Sequence, residues 1–203
     1  MKEQTNKKFW GRVAKIYSRF TRGNRKLYEN ICGNIRPYLT PGTKVLELAT
    51  GPGILALALA DTAADITATD YSEQMIVEAK KQAAPANVRF EVADATALVY
   101  ESAGFDIVLI ANALHIMPEP EKALQEIRRV LRPGGLLIAP TFINGSGAGF
   151  RIRSGIMQLA GFHVYHKWDG AQLAQFITGQ GFHITAQKAL GEKLFPLLYI
   201  EAN

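Results

Sequence analysis

The sequence predicts an α/β domain on a doubly wound, mostly parallel sheet of seven strands that closes in an antiparallel hairpin. Three observations predict it. From Lys44 onward, short β-rich apolar runs alternate with helical patterns, as in βαβ units with right-handed crossovers. A glycine-rich turn separates the first strand from its helix. The last two apolar runs are joined only by Gly191-Glu192-Lys193, a connection that forces antiparallel pairing.

The elements follow in order. Lys44–Ala49 reads as a buried strand and Ile54–Asp61 as the helix after its turn. Asp65–Asp70 is a second strand, followed by a helix over Ser72–Ala83 with Met75, Ile76, Ala79 and Ala83 on one face. Val88–Asp94 and Phe105–Ala111 are the third and fourth strands. In Glu119–Leu131, Ala123, Leu124, Ile127, Val130 and Leu131 follow helical spacing. Arg132-Pro133-Gly134-Gly135 ends that helix, and Leu136–Phe142 is the fifth strand. After the glycine-rich loop Asn144–Gly149, Asp169 and Gln172 form a capping pair that opens a helix over Asp169–Thr178. Phe182–Leu190 and Phe195–Ala202 are the closing strands. Two helices precede the sheet. Phe9, Val13, Ile16, Tyr17 and Phe20 form an apolar stripe flanked by Lys8, Arg12, Lys15, Arg19 and Arg22. Leu27, Ile31, Ile35 and Leu39 mark a second helix over about Asn24–Tyr38.

The composition is that of a globular chain: 203 residues, 48% hydrophobic and 20% charged. The single cysteine, Cys32, excludes a disulfide framework and a multi-cysteine metal site, and no His/Cys/Asp cluster has metal spacing. The opening MKEQTNKKFW lacks the apolar core of a signal peptide. The longest apolar run, Ile54–Ala60, has seven residues, against the roughly 20 of a membrane span. A cytoplasmic location is expected. The net charge of +5 is uneven: residues 1–44 hold 11 Lys/Arg against Glu3 and Glu29, so the remainder is net acidic. The basic stripe suits a lid over the site or a contact with anionic lipid. Nothing in it forms an aromatic or arginine-rich platform for nucleic acid.

In an open parallel sheet, ligands bind at the carboxyl ends of the strands. After the first strand comes Ala49-Thr50-Gly51-Pro52-Gly53, whose glycines permit a sharp turn and close backbone approach. No Gly-Lys-Ser/Thr follows, so it is not a P-loop. Asp70 ends the second strand, where a carboxylate can accept from two ribose hydroxyls. Asp94 ends the third and can accept from an exocyclic amine. Asn112-Ala113-Leu114-His115 follows the fourth. Together they describe a pocket for an adenine–ribose ligand carrying an anionic group. Gly51-x-Gly53-x-x-Ala56, with Asp70 19 residues beyond the first glycine, also satisfies the dinucleotide fingerprint of an NAD-dependent oxidoreductase. The acidic Glu47 within the first strand, the Arg132–Gly135 turn and the closing hairpin argue against that alternative.

Those features resemble the class I S-adenosylmethionine-dependent methyltransferases. Val45–Gly53 (VLELATGPG) is similar to the family's first motif, Thr69–Ser72 to the second, Ala93–Ala95 to the third and Phe105–Val108 to the fourth. Leu131–Leu137 resembles the segment after the site. Ala49 stands where the family has its first glycine. The resemblance spans Lys44 to the C-terminus and implies a Rossmann-like domain over 41–203, preceded by a helical lid or substrate cap over 1–40. It leans towards quinone-biosynthesis and phospholipid N-methyltransferases.

The resemblance also implies residue roles. Ala49, Gly51 and Gly53 would line the methionine part of S-adenosylmethionine, with Glu47 supporting the loop. Asp70 would bind the ribose, with Tyr71 and Met75 near the adenine. Asp94 would accept from the adenine amine, Ala95 would donate its N–H to the ring, and Asn112 would contact the methionine amino group. No metal is implied. The acceptor is expected to be a small molecule, with Tyr17, His115 and Tyr165 as candidate contacts and His115 as the one candidate general base. A third alternative is a non-catalytic nucleotide-binding module of the same fold.

Overall fold

The computed structural model describes residues 25–62, 64–143, 163–191 and 196–203. The helix expected over Phe9–Arg22, with Tyr17, and the loop Asn144–Gly149 lie outside them.

Helix α1 (Arg25–Ile35) runs into a short 3-10 turn, Arg36–Tyr38, where Pro37 ends regular α-helical bonding. Then come β1 (Lys44–Leu48), α2 (Ile54–Leu59), β2 (Asp65–Asp70), α3 (Glu73–Lys80), β3 (Val88–Val92) and β4 (Phe105–Ile110). They are followed by α4 (Pro120–Val130), β5 (Leu131–Ile138), β6 (Thr141–Phe142), α5 (Gly170–Gly179), β7 (Ile184–Leu190) and β8 (Leu197–Ala202). Local signals set the helix starts. The Ser72 hydroxyl accepts from the Met75 N–H, and Asp169 and Gln172 form the reciprocal capping box that their spacing predicts.

The sheet order is β3-β2-β1-β4-β5-β8, with β7 on the outer edge of β8. The first five strands are parallel, and β8 is antiparallel to both β5 and β7. The seven expected strands are present, most of them a residue or two shorter than expected, and two departures change the sheet. Leu136–Phe142 is not one uninterrupted strand: Pro140 lacks an N–H for the ladder, so β5 stops at Ile138 and β6 resumes at Thr141 in the same register against β8. Nor does Arg132–Gly135 lie outside the sheet. It bulges within β5, and the pairing with β4 jumps from Phe105↔Leu131 to Ile107↔Leu136.

Alternation along β1 splits the core into two layers. Val45 faces a cluster with Ile31, Ile35, Leu55 and Leu59, so α1, α2 and α3 cover one face. Leu46 and Leu48 face Leu124, Ile127, Leu173 and Ile177 of α4 and α5 on the other. Each fully buried Leu or Ile contributes roughly 1.5–3 kcal/mol of transfer free energy, and the register is specified because a one-residue slip would move every such side chain into the opposite, differently shaped layer. Glu47 has the parity of Val45 and points into the α2 layer. The chain crosses there at the carboxyl ends of β1 and β4, where the layers part and a cleft opens.

Candidate active site

The turn after β1 is built from left-handed backbone. Ala49, Gly51 and Gly53 have φ of 54°, 57° and 81°. The glycines adopt this freely; Ala49 does so against a steric cost of about 1–2 kcal/mol. On the neighbouring strand, Asn112 takes the same φ of 54°, a conformation that asparagine tolerates well. At Gly53 an added Cβ would stand 2.6 Å from the Phe90 ring, so β3 packs against the turn where only glycine fits. The Gln82 side-chain amide donates to the Pro52 carbonyl at 2.6 Å and holds the turn from the other side.

Two carboxylates fix this turn from within the chain. Asp70 accepts the Gly51 N–H at Oδ2 and the Ser72 N–H at Oδ1, each at 2.8 Å. Burial pushes its carboxyl up to about 6, against the lowering effect of those two hydrogen bonds. Glu47, 2% exposed, accepts from the Thr50 hydroxyl at 2.8 Å and from the Ala56 backbone N–H. Burial pushes it up to about 7, partly offset by those bonds, and the neighbouring Asp70 charge adds to the rise. Glu47 thus braces the turn that leads into α2.

The cleft opens to solvent at the carboxyl ends of the strands, where ligand sites of such sheets lie. Eight of the ten residues assigned to the cofactor line it: Ala49, Gly51, Asp70, Tyr71, Met75, Asp94, Ala95 and Asn112. Glu47 and Gly53 lie behind the wall and shape the turn. Asp94 accepts the Thr96 N–H and hydroxyl at Oδ1, at 2.8 and 2.7 Å, which leaves Oδ2 without a partner among the described residues. No hydrogen bond uses the Ala95 N–H among the described residues. Asn112 accepts the Phe142 N–H at its side-chain oxygen, at 3.1 Å, which ties the end of β4 to β6.

The remaining assignments fall elsewhere. His115 sits in a 3-10 turn, Leu114–Ile116, whose neighbours Ala113 and Ile116 line the cleft while His115 does not. Its carbonyl accepts the Tyr165 and His166 N–H groups at 3.0 and 3.1 Å. Burial, with His166 nearby, pulls the His115 imidazole down to about 4. Tyr165 meets His163 edge-on at 4.5 Å and does not line the cleft. Sequence reasoning passed over Thr96, which orients Asp94, and Ile116 and Met117, which form an apolar wall. Thr96 adjoins Asp94 in a short turn signal; the wall residues had no such sign. Among the described residues no group of three or more His, Cys, Asp or Glu could hold a metal ion.

The residues present fit S-adenosylmethionine. Among the described residues the only charged side chains lining the cleft are Asp70 and Asp94, both acceptors, and the rest of the wall is uncharged. That suits a cofactor rich in donors and carrying a sulfonium cation. It suits a pyrophosphate poorly, because Asp70 takes the Gly51 N–H and Glu47 takes the Ala56 N–H that an anion would need.

Strand order, glycine turn and cleft together are similar to those of the class I S-adenosylmethionine-dependent methyltransferases. A family model described as a methyltransferase domain matches residues 46–139. The chain is 40% identical over 102 residues to demethylmenaquinone methyltransferase of Clavibacter sepedonicus, covering 50% of this chain and 42% of that protein. It is 35% identical over 131 residues to the protein of the same name in Renibacterium salmoninarum, covering 64% and 52%. The chain thus spans about half the length of these relatives. Its fold is shared by an S-adenosylmethionine-dependent methyltransferase of Thermotoga maritima, with a TM-score of 0.76 and 20% identity over 96% of this chain and 97% of that one. No helix among the described residues is long and apolar enough to cross a membrane.

Proposed function

We propose that this protein transfers a methyl group from S-adenosylmethionine to a small, apolar ring acceptor of the quinol type. The observation that carries the reading is the convergence of the left-handed turn at Ala49–Gly53 with Asp70 and Asp94 on one cleft. The relatives' name, demethylmenaquinone methyltransferase, supports the acceptor class.

Asp70 would hold the ribose, its remaining lone pairs facing two hydroxyls while its other contacts fix the turn. Asp94 Oδ2 and the Ala95 N–H would read the adenine edge. Met75 and Tyr71 would flank the ring. When bound, the cofactor supplies an electrophilic methyl group on a positive sulfur. The chain's own work is alignment and exclusion of water: the apolar wall of Ile116 and Met117 keeps the reacting side dry. No metal enters this scheme.

Calorimetric titration with S-adenosylhomocysteine and, separately, NADH tests the reading. Binding of S-adenosylhomocysteine alone supports it; binding of NADH alone replaces it with a dehydrogenase. Nucleotide binding without methylation across a panel of acceptors would mark a regulatory module. The basic and apolar stripes of residues 8–22 support a contact with anionic membrane surfaces. Flotation with anionic liposomes, before and after Lys8, Arg12, Lys15 and Arg19 are changed to Glu, checks that contact.

A further inference from the structure

Beside the cleft lies a pair of side chains that the scheme above does not use. His115 Nδ1 and His166 Nε2 are both buried from solvent, and neither has a hydrogen-bond partner among the described residues. Buried polar nitrogens are rarely left unpaired in a native fold, and an orphan pair points to something that completes it. The two residues are joined through the backbone: the His115 carbonyl accepts the His166 N–H at 3.1 Å. Their planes are held as well. The His166 imidazole stacks on Trp168 at 4.7 Å and 13°, and Trp168 stacks on Phe176 at 4.5 Å and 24°. Such a stack leaves the in-plane nitrogen free to meet a ligand without reorganising.

We infer that His115 and His166 form the polar anchor of the acceptor site, and that together they bind one hydroxyl group of a neutral aromatic acceptor. The inference rests on the methyltransferase reading. A hydroxyl is the smallest group that satisfies both nitrogens, because it donates to an unprotonated imidazole nitrogen and accepts from a protonated one. The position suits an acceptor, since Ala113 and Ile116, on either side of His115 along the chain, line the cleft. Charge narrows the class. Asp70 and Asp94 are the only charged residues lining the cleft among the described residues, so none of these compensates an anionic acceptor. A phenol or quinol ring fits; a carboxylate or phosphate does not.

The probes are 1-naphthol and its methyl ether, 1-methoxynaphthalene, in which a methyl group replaces the hydroxyl proton. Trp168 reports binding by fluorescence in a Trp10→Phe background, where it is the sole tryptophan. The full chain, saturated with S-adenosylhomocysteine, is expected to bind the naphthol about tenfold more tightly than the ether. His115→Phe and His166→Phe should abolish that preference with the ether's affinity and the S-adenosylhomocysteine affinity unchanged. His115→Asn and His166→Gln, whose amides stand near the lost ring nitrogens, should restore it, and they carry the test if a phenylalanine variant fails to fold. Equal binding of the two probes by the native chain overturns the inference, as does a preference that survives in the phenylalanine variants. Failure to bind S-adenosylhomocysteine at all overturns the methyltransferase reading instead.

Discussion

The Asp70 carboxylate accepts the backbone N–H of Gly51 across 2.8 Å, joining the end of β2 to the turn after β1. With Ser72 on its other oxygen, one side chain holds the glycine turn, starts α3 and lines the cleft. Asp70→Ala is therefore expected to weaken S-adenosylhomocysteine binding by about 1.5–3 kcal/mol, the range for hydrogen bonds to a charged group. Titration calorimetry reads it directly. An unchanged dissociation constant removes Asp70 from the site.

The glycine turn makes opposite predictions at its two ends. Gly53→Ala forces a left-handed alanine into the Phe90 ring and should cost about 2–4 kcal/mol of stability. Ala49→Gly relieves an existing left-handed residue and should be neutral or stabilising by up to about 1 kcal/mol, the relief being offset by the greater entropy of glycine in the unfolded chain. Urea melts of the two variants decide it; equal destabilisation would contradict the backbone assignment.

The raised carboxyls predict a pH dependence. Burial lifts Glu47 from 4.5 to about 7, so between those values the native state binds more protons than the unfolded chain, and stability falls as pH rises. The contribution is fully present below about 4.5 and lost as pH passes through about 7. Asp70 acts in the same direction up to about 6. Glu47→Gln should reduce this slope, and the stability of the native protein relative to the variant should fall across that window by up to about 3 kcal/mol. Denaturant melts at a series of pH values test this; a gap that widens with pH would reverse the assignment.

Arg129 holds the loop that carries the third motif. Its guanidinium donates to the carbonyls of Leu98 and Tyr100 and to Glu126, while Glu126 accepts the Leu98 N–H. The pair bridges α4 to the chain just past Asp94–Thr96. Arg129→Ala should raise amide exchange over residues 95–100 and cost about 1–3 kcal/mol, with Arg129→Lys recovering only part because lysine lacks the planar fork. Unchanged exchange in that loop would show that the clamp is idle.

How much of this could be read from residues alone depends on the range of the interaction. The strands, their order of appearance, the helix caps at Ser72 and Asp169 and the glycine turn are local: hydrophobic period, capping chemistry and backbone freedom act over a few neighbours, and the sequence carries them openly. Because ligands gather at strand ends in this architecture, Asp70, Asp94 and Asn112 could also be placed on the cleft before any coordinates. The Pro140 break was equally visible, since proline cannot join a ladder, yet it was absorbed into a longer apolar run.

Other relationships belong to the tertiary structure. The aspartates serve the backbone of their own loops before any ligand, Phe90 closes on Gly53 from 37 positions away, and His115 meets His166 across a segment of fifty residues. No periodicity announces such pairs, because their geometry is set by how the two layers pack on the sheet. The sequence determined which strand ends would face a ligand; only the packed fold decided which polar atoms are already spent there and which remain free to bind.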